Sequence, residues 1–180
     1  MSQNLSRRSL LAVAAAGVLA VGMTPAVAQA ASAPTNGIHK VYVSGVTVNA
    51  TNKKVTVAVG PNTPGATIPA GSTWNYTVNV WAQYPGEGVN APTTSQPNTY
   101  GSWAAPRLVA KEGDKHTFAL SWTNKVPLST TYRGPVFQWV NSSNSLRPGS
   151  DIQVISSAPD GAVADQDIFG NQRQGTYYYN

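Results

Sequence analysis

The sequence predicts an all-β fold, an antiparallel β-sandwich, from two features of its pattern. After residue 39 the apolar side chains recur with a period of two, and no segment keeps a helical period. Short runs rich in Gly, Pro, Asn and Asp separate the alternating segments, as turns separate strands. Each alternating segment has one apolar and one polar face, which is expected where a sheet covers a core on one side only.

The inward-facing positions follow from this alternation, strand by strand. The first strand has Val41 inward but changes parity between Val43 and Val46, so a β-bulge is predicted at Ser44-Gly45. The inward positions of the later strands are Val55, Val57, Val59, Trp74, Tyr76, Val78, Val80, His116, Phe118, Leu120, Trp122, Phe137, Trp139, Ile152 and Val154.

Two strand starts are alike. Ile68-Pro69-Ala70-Gly71-Ser72 comes before Trp74, and Leu146-Arg147-Pro148-Gly149-Ser150 comes before Ile152. An apolar residue, a Pro/Gly turn and then a strand is typical of loops that link the two sheets of immunoglobulin-like domains. Together with about seven to nine short strands, this predicts an immunoglobulin-like β-sandwich as a fold class, without a family.

Residues 1–30 have the three zones of a cleaved export signal. A polar start carries Arg7-Arg8, an uncharged apolar run follows, and Ala28-Gln29-Ala30 offers the small residues that a signal peptidase requires. The paired arginines in Ser6-Arg7-Arg8-Ser9-Leu10-Leu11 favour a twin-arginine signal over an ordinary Sec signal. We expect cleavage after residue 30, with Ala31-Ser32-Ala33 as a second acceptable site.

Cleavage leaves residues 31–180, a length that fits one secreted β-sandwich domain with a net charge of +3 and no cysteine. The basic residues are scattered and form no stripe, so nucleic acid is not an expected partner. The apolar run of the signal is too short and too rich in Ala and Gly to span a membrane. The expected location is extracellular or associated with the cell wall.

The ionisable residues form no catalytic pattern. The mature chain has two histidines, His39 and His116, and no Gly-x-Ser-x-Gly motif. A glycosidase-type carboxylate pair could come only from Glu87, Glu112, Asp114 and the C-terminal acids, and nothing in the sequence places them together. We therefore expect neither an enzyme nor a cofactor.

One short segment could hold calcium. Asp160, Asp165 and Asp167 place three carboxylates within eight residues, and calcium takes several oxygen ligands from flexible loops. The segment lacks the alternating ligands and the closing Glu of an EF-hand loop, so a solvated turn is the preferred interpretation.

Trp81 lies on the polar parity of its strand, whereas most other large rings fall on apolar faces. After it comes a segment without alternation, residues 85–106, which carries Tyr100 and Trp103. Two interpretations stay open. These rings form an exposed platform for a sugar or a protein, or the segment folds back over Trp81 and builds a satellite core.

A second irregular stretch, residues 124–135, adds Tyr132 and Arg133 to the candidate ligand-binding residues. We therefore expect a secreted, non-catalytic binding or surface-associated module whose ligand is an extracellular glycan or a protein. The alternatives are a small secreted hydrolase, a protease inhibitor that presents the 85–106 loop, and a purely structural surface protein.

The export route is testable with the double substitution Arg7→Lys and Arg8→Lys. A twin-arginine signal requires both arginines, so we expect a folded precursor to accumulate inside the cell. Immunoblotting of cell and medium fractions measures this. Undiminished secretion of the double variant would assign the chain to the Sec route.

Overall fold

The structure is a computed structural model that describes residues 38–142, 145–147, 149–169 and 172–177. The predicted export signal, residues 1–30, lies outside the described residues.

The described residues form eleven strands and no helix. In chain order these are β1 (His39–Val48), β2 (Asn52–Pro61), β3 (Thr73–Trp81), β4 (Thr93–Thr94), β5 (Gly101–Trp103), β6 (Arg107–Glu112), β7 (Lys115–Asn124), β8 (Val136–Val140), β9 (Asp151–Ser157), β10 (Val163–Phe169) and β11 (Gln172–Tyr177).

The strands form two antiparallel sheets that pack together, which confirms the predicted all-β sandwich. The smaller sheet has the order β1-β2-β8-β4. The larger sheet has the order β11-β10-β9-β3-β7-β5, and β6 also pairs with β7. There are more strands than the seven to nine expected because the short strands β4 and β5 lie inside the segment predicted to be irregular. The observed order does not establish an immunoglobulin-like arrangement.

The predicted bulge is present in β1. The register of β1 against β2 shifts between Val43 and Gly45. The backbone N–H of Val43 donates a hydrogen bond to the side-chain oxygen of Gln166, a fully buried residue of β10. A buried donor without a partner would be costly, so this bond from the opposite sheet stabilises the bulge.

The side chains predicted to face inward form most of the core. All of those from β2 to β9, together with Val41 and Val43, expose 3 % of their surface or less. His116, near the start of β7, is also fully buried. Beyond the bulge, Val46 and Val48 lie opposite the buried Val55 and Lys53, on the inner face. They are only half-buried because they lie at the end of an edge strand.

The 85–106 segment closes one side of the sandwich. Its first strand, β4, pairs with β8 in the smaller sheet, and its second, β5, pairs with β7 in the larger one. Between the sheets the half-buried Trp103 ring lies 5.3 Å from the Tyr76 ring and 6.0 Å from the Phe137 ring. Its Nε1 donates to Ser95 Oγ at 3.1 Å. Trp103 therefore extends the core, and we assign no ligand contact to it.

Gly101 allows this closure because a side chain there would overlap the Trp122 ring and the carbonyl oxygen of Thr123. We expect Gly101→Ala to lower the free energy of unfolding by about 3 kcal/mol, the upper end of the usual cost of overpacking. Gly88→Ala is the control, since a Cβ at position 88 meets no atom within 4 Å. Chemical denaturation of both variants measures the difference, and equal midpoints would contradict the close approach of β5 to Trp122.

Candidate functional site

The structure separates the predicted ligand-binding residues into two groups. Strand β3 runs from Thr73 to Trp81, a length of about 26 Å. Trp81 lies at one end of it, opposite Lys115 of β7 and Asp151 of β9. We call this end of the sandwich the Trp81 end.

Tyr100 and Tyr132 lie at the other end, which we call the tyrosine end. Their rings stack with centroids 4.4 Å apart and planes inclined by 20°. The Tyr132 ring also lies 5.8 Å from the buried Trp122 ring, so the pair stands on the core. Tyr132 is half-buried, whereas Tyr100 exposes 47 % of its surface. The arrangement presents an aromatic surface to solvent.

Asn98 holds the two tyrosines in place. Its side-chain nitrogen donates to the hydroxyl of Tyr132 at 2.7 Å. Its side-chain oxygen accepts from the backbone N–H of Tyr100 at 2.9 Å and of Gly101 at 3.1 Å. One amide thus fixes both the turn that carries Tyr100 and the ring on which Tyr100 stacks. An Asn whose side chain bonds its own backbone two residues on is a turn signal, and this signal could have been found in the sequence.

The Tyr132 ring occupies space that a side chain at position 134 would fill. A Cβ built on Gly134 would overlap the ring and the hydroxyl of Tyr132. The backbone of Tyr132 is fixed as well, by two hydrogen bonds with Val59 of β2, at 2.8 and 2.9 Å. The pair is therefore preorganised, which reduces the entropy that a ligand contact would cost.

Two exposed cations lie next to the tyrosine pair along the backbone. Arg133 follows Tyr132 in the chain, and the backbone N–H of Lys125 donates to the carbonyl oxygen of Tyr100 at 2.8 Å. Asp160, an acidic residue at this end, pairs with His39: its Oδ2 lies 3.0 Å from His39 Nδ1. The tyrosine end thus combines an aromatic surface with positive charge. Lys125 was not among the residues predicted from the sequence.

The Trp81 end has a different character. Four of the acidic residues lie there: Glu87, Glu112, Asp114 and Asp151. Trp81 is half-buried and faces the outer side of the larger sheet, as its parity predicted. On that face hydrogen bonds of 2.8–3.1 Å join side chains of four strands: Thr117, Asn79, Gln153 and Asp165. These side chains therefore satisfy one another's hydrogen bonds on the face that Trp81 shares.

Near Trp81, Tyr84 is the exposed ring, with 52 % of its surface accessible. The guanidinium of Arg147 lies 5.0 Å from the centre of that ring and pairs with Glu87 at 2.5 Å. Glu87 and Glu112 therefore each have a cationic neighbour, since Glu112 lies 3.7 Å from Lys115. The structure places these two glutamates in separate ion pairs and does not bring them together as a catalytic pair.

Of the three aspartates considered for calcium, only Asp160 lies in a turn, as expected. Asp165 and Asp167 lie in strand β10, so the expectation of a solvated turn was wrong for these two. Asp160 accepts hydrogen bonds from the backbone N–H groups of His39 and Ala162. Burial would raise the pKa of Asp160, but these bonds and the nearby His39 side chain outweigh it and hold the pKa below its ordinary value. Asp165 accepts from Gln153 on the outer face of the sheet. Among the described residues no three His, Cys, Asp or Glu side chains form a metal-binding group.

Lys53 is the lysine whose pKa is clearly shifted, and its side chain lies in the core. This residue shares the inward parity of Val55, is fully buried, and donates from Nζ to the carbonyl oxygen of Ser150 at 2.6 Å. Burial lowers the pKa of Lys53 to about 8, although the charge of Asp151 acts in the opposite direction. Because the side chain has no access to solvent, we regard Lys53 as structural.

Comparison with known proteins gives no family: no protein-family model matches the chain, and no curated protein sequence matches it significantly. Within the described ranges, no helix is long and apolar enough to cross a membrane.

The buried lysine gives a pH test of the core. The unfolded chain keeps the Lys53 proton up to about pH 10.5, whereas the folded protein loses it near pH 8. Unfolding therefore takes up a proton between these values, and stability rises with pH by about 1.4 kcal/mol per unit. We expect Lys53→Met to remove this rise relative to the wild type. Lys54→Met, at the exposed neighbouring position, should keep it.

Denaturation curves at pH 7.0, 8.0, 9.0 and 9.5 measure the slope for each protein. Titration of other groups cancels in the difference between each variant and the wild type. Identical slopes for Lys53→Met and the wild type would contradict the burial of the amine.

Proposed function

We propose that this chain is an exported, non-catalytic binding module that takes an acidic glycan of the cell surroundings at its tyrosine end. The observation that carries the proposal is the stacked pair of Tyr100 and Tyr132, exposed on one side and anchored on Trp122 on the other. The export signal predicted at residues 1–30 would bring the module to such a ligand.

The aromatic surface suits the apolar face of a sugar ring. A tyrosine ring offers a large contact area and loses few rotamers on binding. Since Tyr132 covers one face of Tyr100, the opposite face of Tyr100 is the surface to which a ligand can add. Asn98 and Gly134 fix the rings beforehand, so the binding energy is not spent on ordering them.

The charges favour an acidic ligand over a neutral one. Lys125 and Arg133 are exposed and lie next to the pair along the backbone, and Asp160 at this end is paired with His39. A carboxylate or phosphate on the ligand would be attracted to the cations, and this attraction would weaken as salt is added. A protein partner with acidic residues would use the same surface and is the second candidate.

The contacts of the 85–106 segment support a binding module over a protease inhibitor. The carbonyl oxygen of Asn90 accepts from Trp139 Nε1 at 2.9 Å, and the backbone N–H of Ser95 donates to Val136 at 2.8 Å. Val89 and Trp103 pack on the core. The parts of the segment around Val89 and Trp103 are turned toward the core and do not project from the sandwich, as a loop that enters the cleft of a protease must.

The test compares Tyr100→Ala with Tyr84→Ala. Both variants remove an exposed tyrosine ring, one from each end of the sandwich. Tyr84→Ala therefore controls for any general effect of losing exposed aromatic surface. We expect Tyr100→Ala to weaken binding to a soluble polyuronate at least tenfold, about 1.4 kcal/mol, and Tyr84→Ala to leave it unchanged. Isothermal titration calorimetry measures both, with a neutral glucan as the control ligand.

Two further variants separate the alternatives. Arg133→Ala should weaken polyuronate binding and reduce its dependence on salt. Trp81→Ala tests the other end of the sandwich, where a loss of binding would move the site to the outer face of the larger sheet. Binding of an acidic protein from the envelope, with none to either polysaccharide, would support the second candidate.

A further inference from the structure

Strand β6 forms a free edge of the larger sheet. It pairs with β7 on one side, and no strand of the described part pairs with its other side. Five of its six side chains are exposed, among them Leu108 and Val109 at 51 % and 53 %. An exposed edge with apolar side chains is a template for pairing with a further strand.

The sequence of β6, Arg-Leu-Val-Ala-Lys-Glu, is self-complementary in an antiparallel pair. If two copies align about a twofold axis between Val109 and Ala110, Arg107 of each copy lies opposite Glu112 of the other. Leu108 then lies opposite Lys111, whose aliphatic stem can cover it. Directly opposed charges of opposite sign stabilise cross-strand pairs, and a twofold axis creates this pair twice.

The bulge in β6 makes this alignment possible. Residues 107 and 112 are an odd number of positions apart, so a regular strand would place them on opposite faces. The register of β6 against β7 shifts between Leu108 and Ala110. As a result Arg107 pairs with Ala119 and Glu112 with Lys115, two β7 residues that both face outward. Arg107 and Glu112 therefore share one face, as opposed residues in a continuous sheet must.

We propose that β6 is a dimerisation edge, and that a second copy of this chain adds to it in the Arg107–Glu112 register. The paired copies form one continuous sheet with their outer faces on the same side. Because the strands run antiparallel, the two tyrosine ends point in opposite directions. The proposal does not depend on the ligand assigned to the tyrosine end.

The test is a charge reversal followed by its compensation. Arg107→Glu places two glutamates opposite each other at both symmetric positions, and we expect the dimer dissociation constant to rise at least tenfold. Arg107→Glu combined with Glu112→Arg restores the opposite signs and should restore the wild-type constant. Lys54→Glu, an equal change of charge on an exposed residue of the other sheet, should leave the constant unaltered. Sedimentation equilibrium measures all four proteins, and circular dichroism checks that each is folded.

The register is tested by crosslinking, because the chain has no cysteine of its own. An equimolar mixture of Arg107→Cys and Glu112→Cys should form a disulfide-linked heterodimer on mild oxidation, and each variant alone should form little. A wild-type protein that stays monomeric at its highest soluble concentration overturns the proposal. So does a dimer that Arg107→Glu leaves intact, a double reversal that fails to restore association, or crosslinking of the single variants as efficient as that of the mixture.

Discussion

The packing of large aromatic rings between the two sheets is the interaction on which the rest of the structure depends. Trp74, Trp122 and Trp139 are among the largest fully buried side chains, and Phe118 and Phe137 join them. Phe118 of the larger sheet lies 6.2 Å from Trp139 of the smaller one. Such rings bury a large area each and favour edge-to-face contacts, so they can hold two sheets together without a disulfide. The chain has no cysteine, so the two sheets are held together by this apolar contact and by hydrogen bonds, without a disulfide.

The same packing creates the surface to which we assign binding. A row of ring contacts runs outward from Trp74 to Trp122 at 5.6 Å, then to Tyr132 at 5.8 Å, and ends at the exposed Tyr100. A ligand that contacts Tyr100 therefore meets a surface supported by the core. The glycines at 101 and 134 leave room for these rings, and backbone hydrogen bonds hold the segments that carry them.

Buried polar groups complete the fold at the points where strand pairing is interrupted. Gln166 accepts from the bulged backbone of β1, and the side-chain nitrogen of Asn124 donates to the carbonyl oxygens of Pro69 and Val126, both at 2.8 Å. Lys53 likewise donates to Ser150, just before β9 begins. Each of these residues is buried, and each satisfies backbone groups that no neighbouring strand reaches. Polar side chains inside this sandwich therefore serve as connections between strands and loops.

The sequence by itself determined which side faces the core in six of the strands, β1, β2, β3, β7, β8 and β9. Alternation placed Trp74, Phe118 and Trp139 inward and located the bulge at Ser44-Gly45, because backbone geometry turns successive side chains to opposite faces wherever the chain is extended. The alternation of Val55 and Val57 extends to Lys53, but Lys53 was not predicted to face inward because a lysine is not expected in a core. Local rules of this kind need no knowledge of the neighbouring strands.

Only the tertiary structure determined which residues from different parts of the sequence lie close together. Trp81 and Tyr100 are 19 positions apart in sequence, yet they lie at opposite ends of the sandwich because the 85–106 segment runs along β8, from Asn90 at Trp139 to Asn98 at Tyr132. Tyr100 meets Tyr132, 32 positions away, since β5 and the segment before β8 both pack against Trp122. The pairing order of strands depends on the free energy of all the sheet contacts together. A period of two along one strand carries no information about that order.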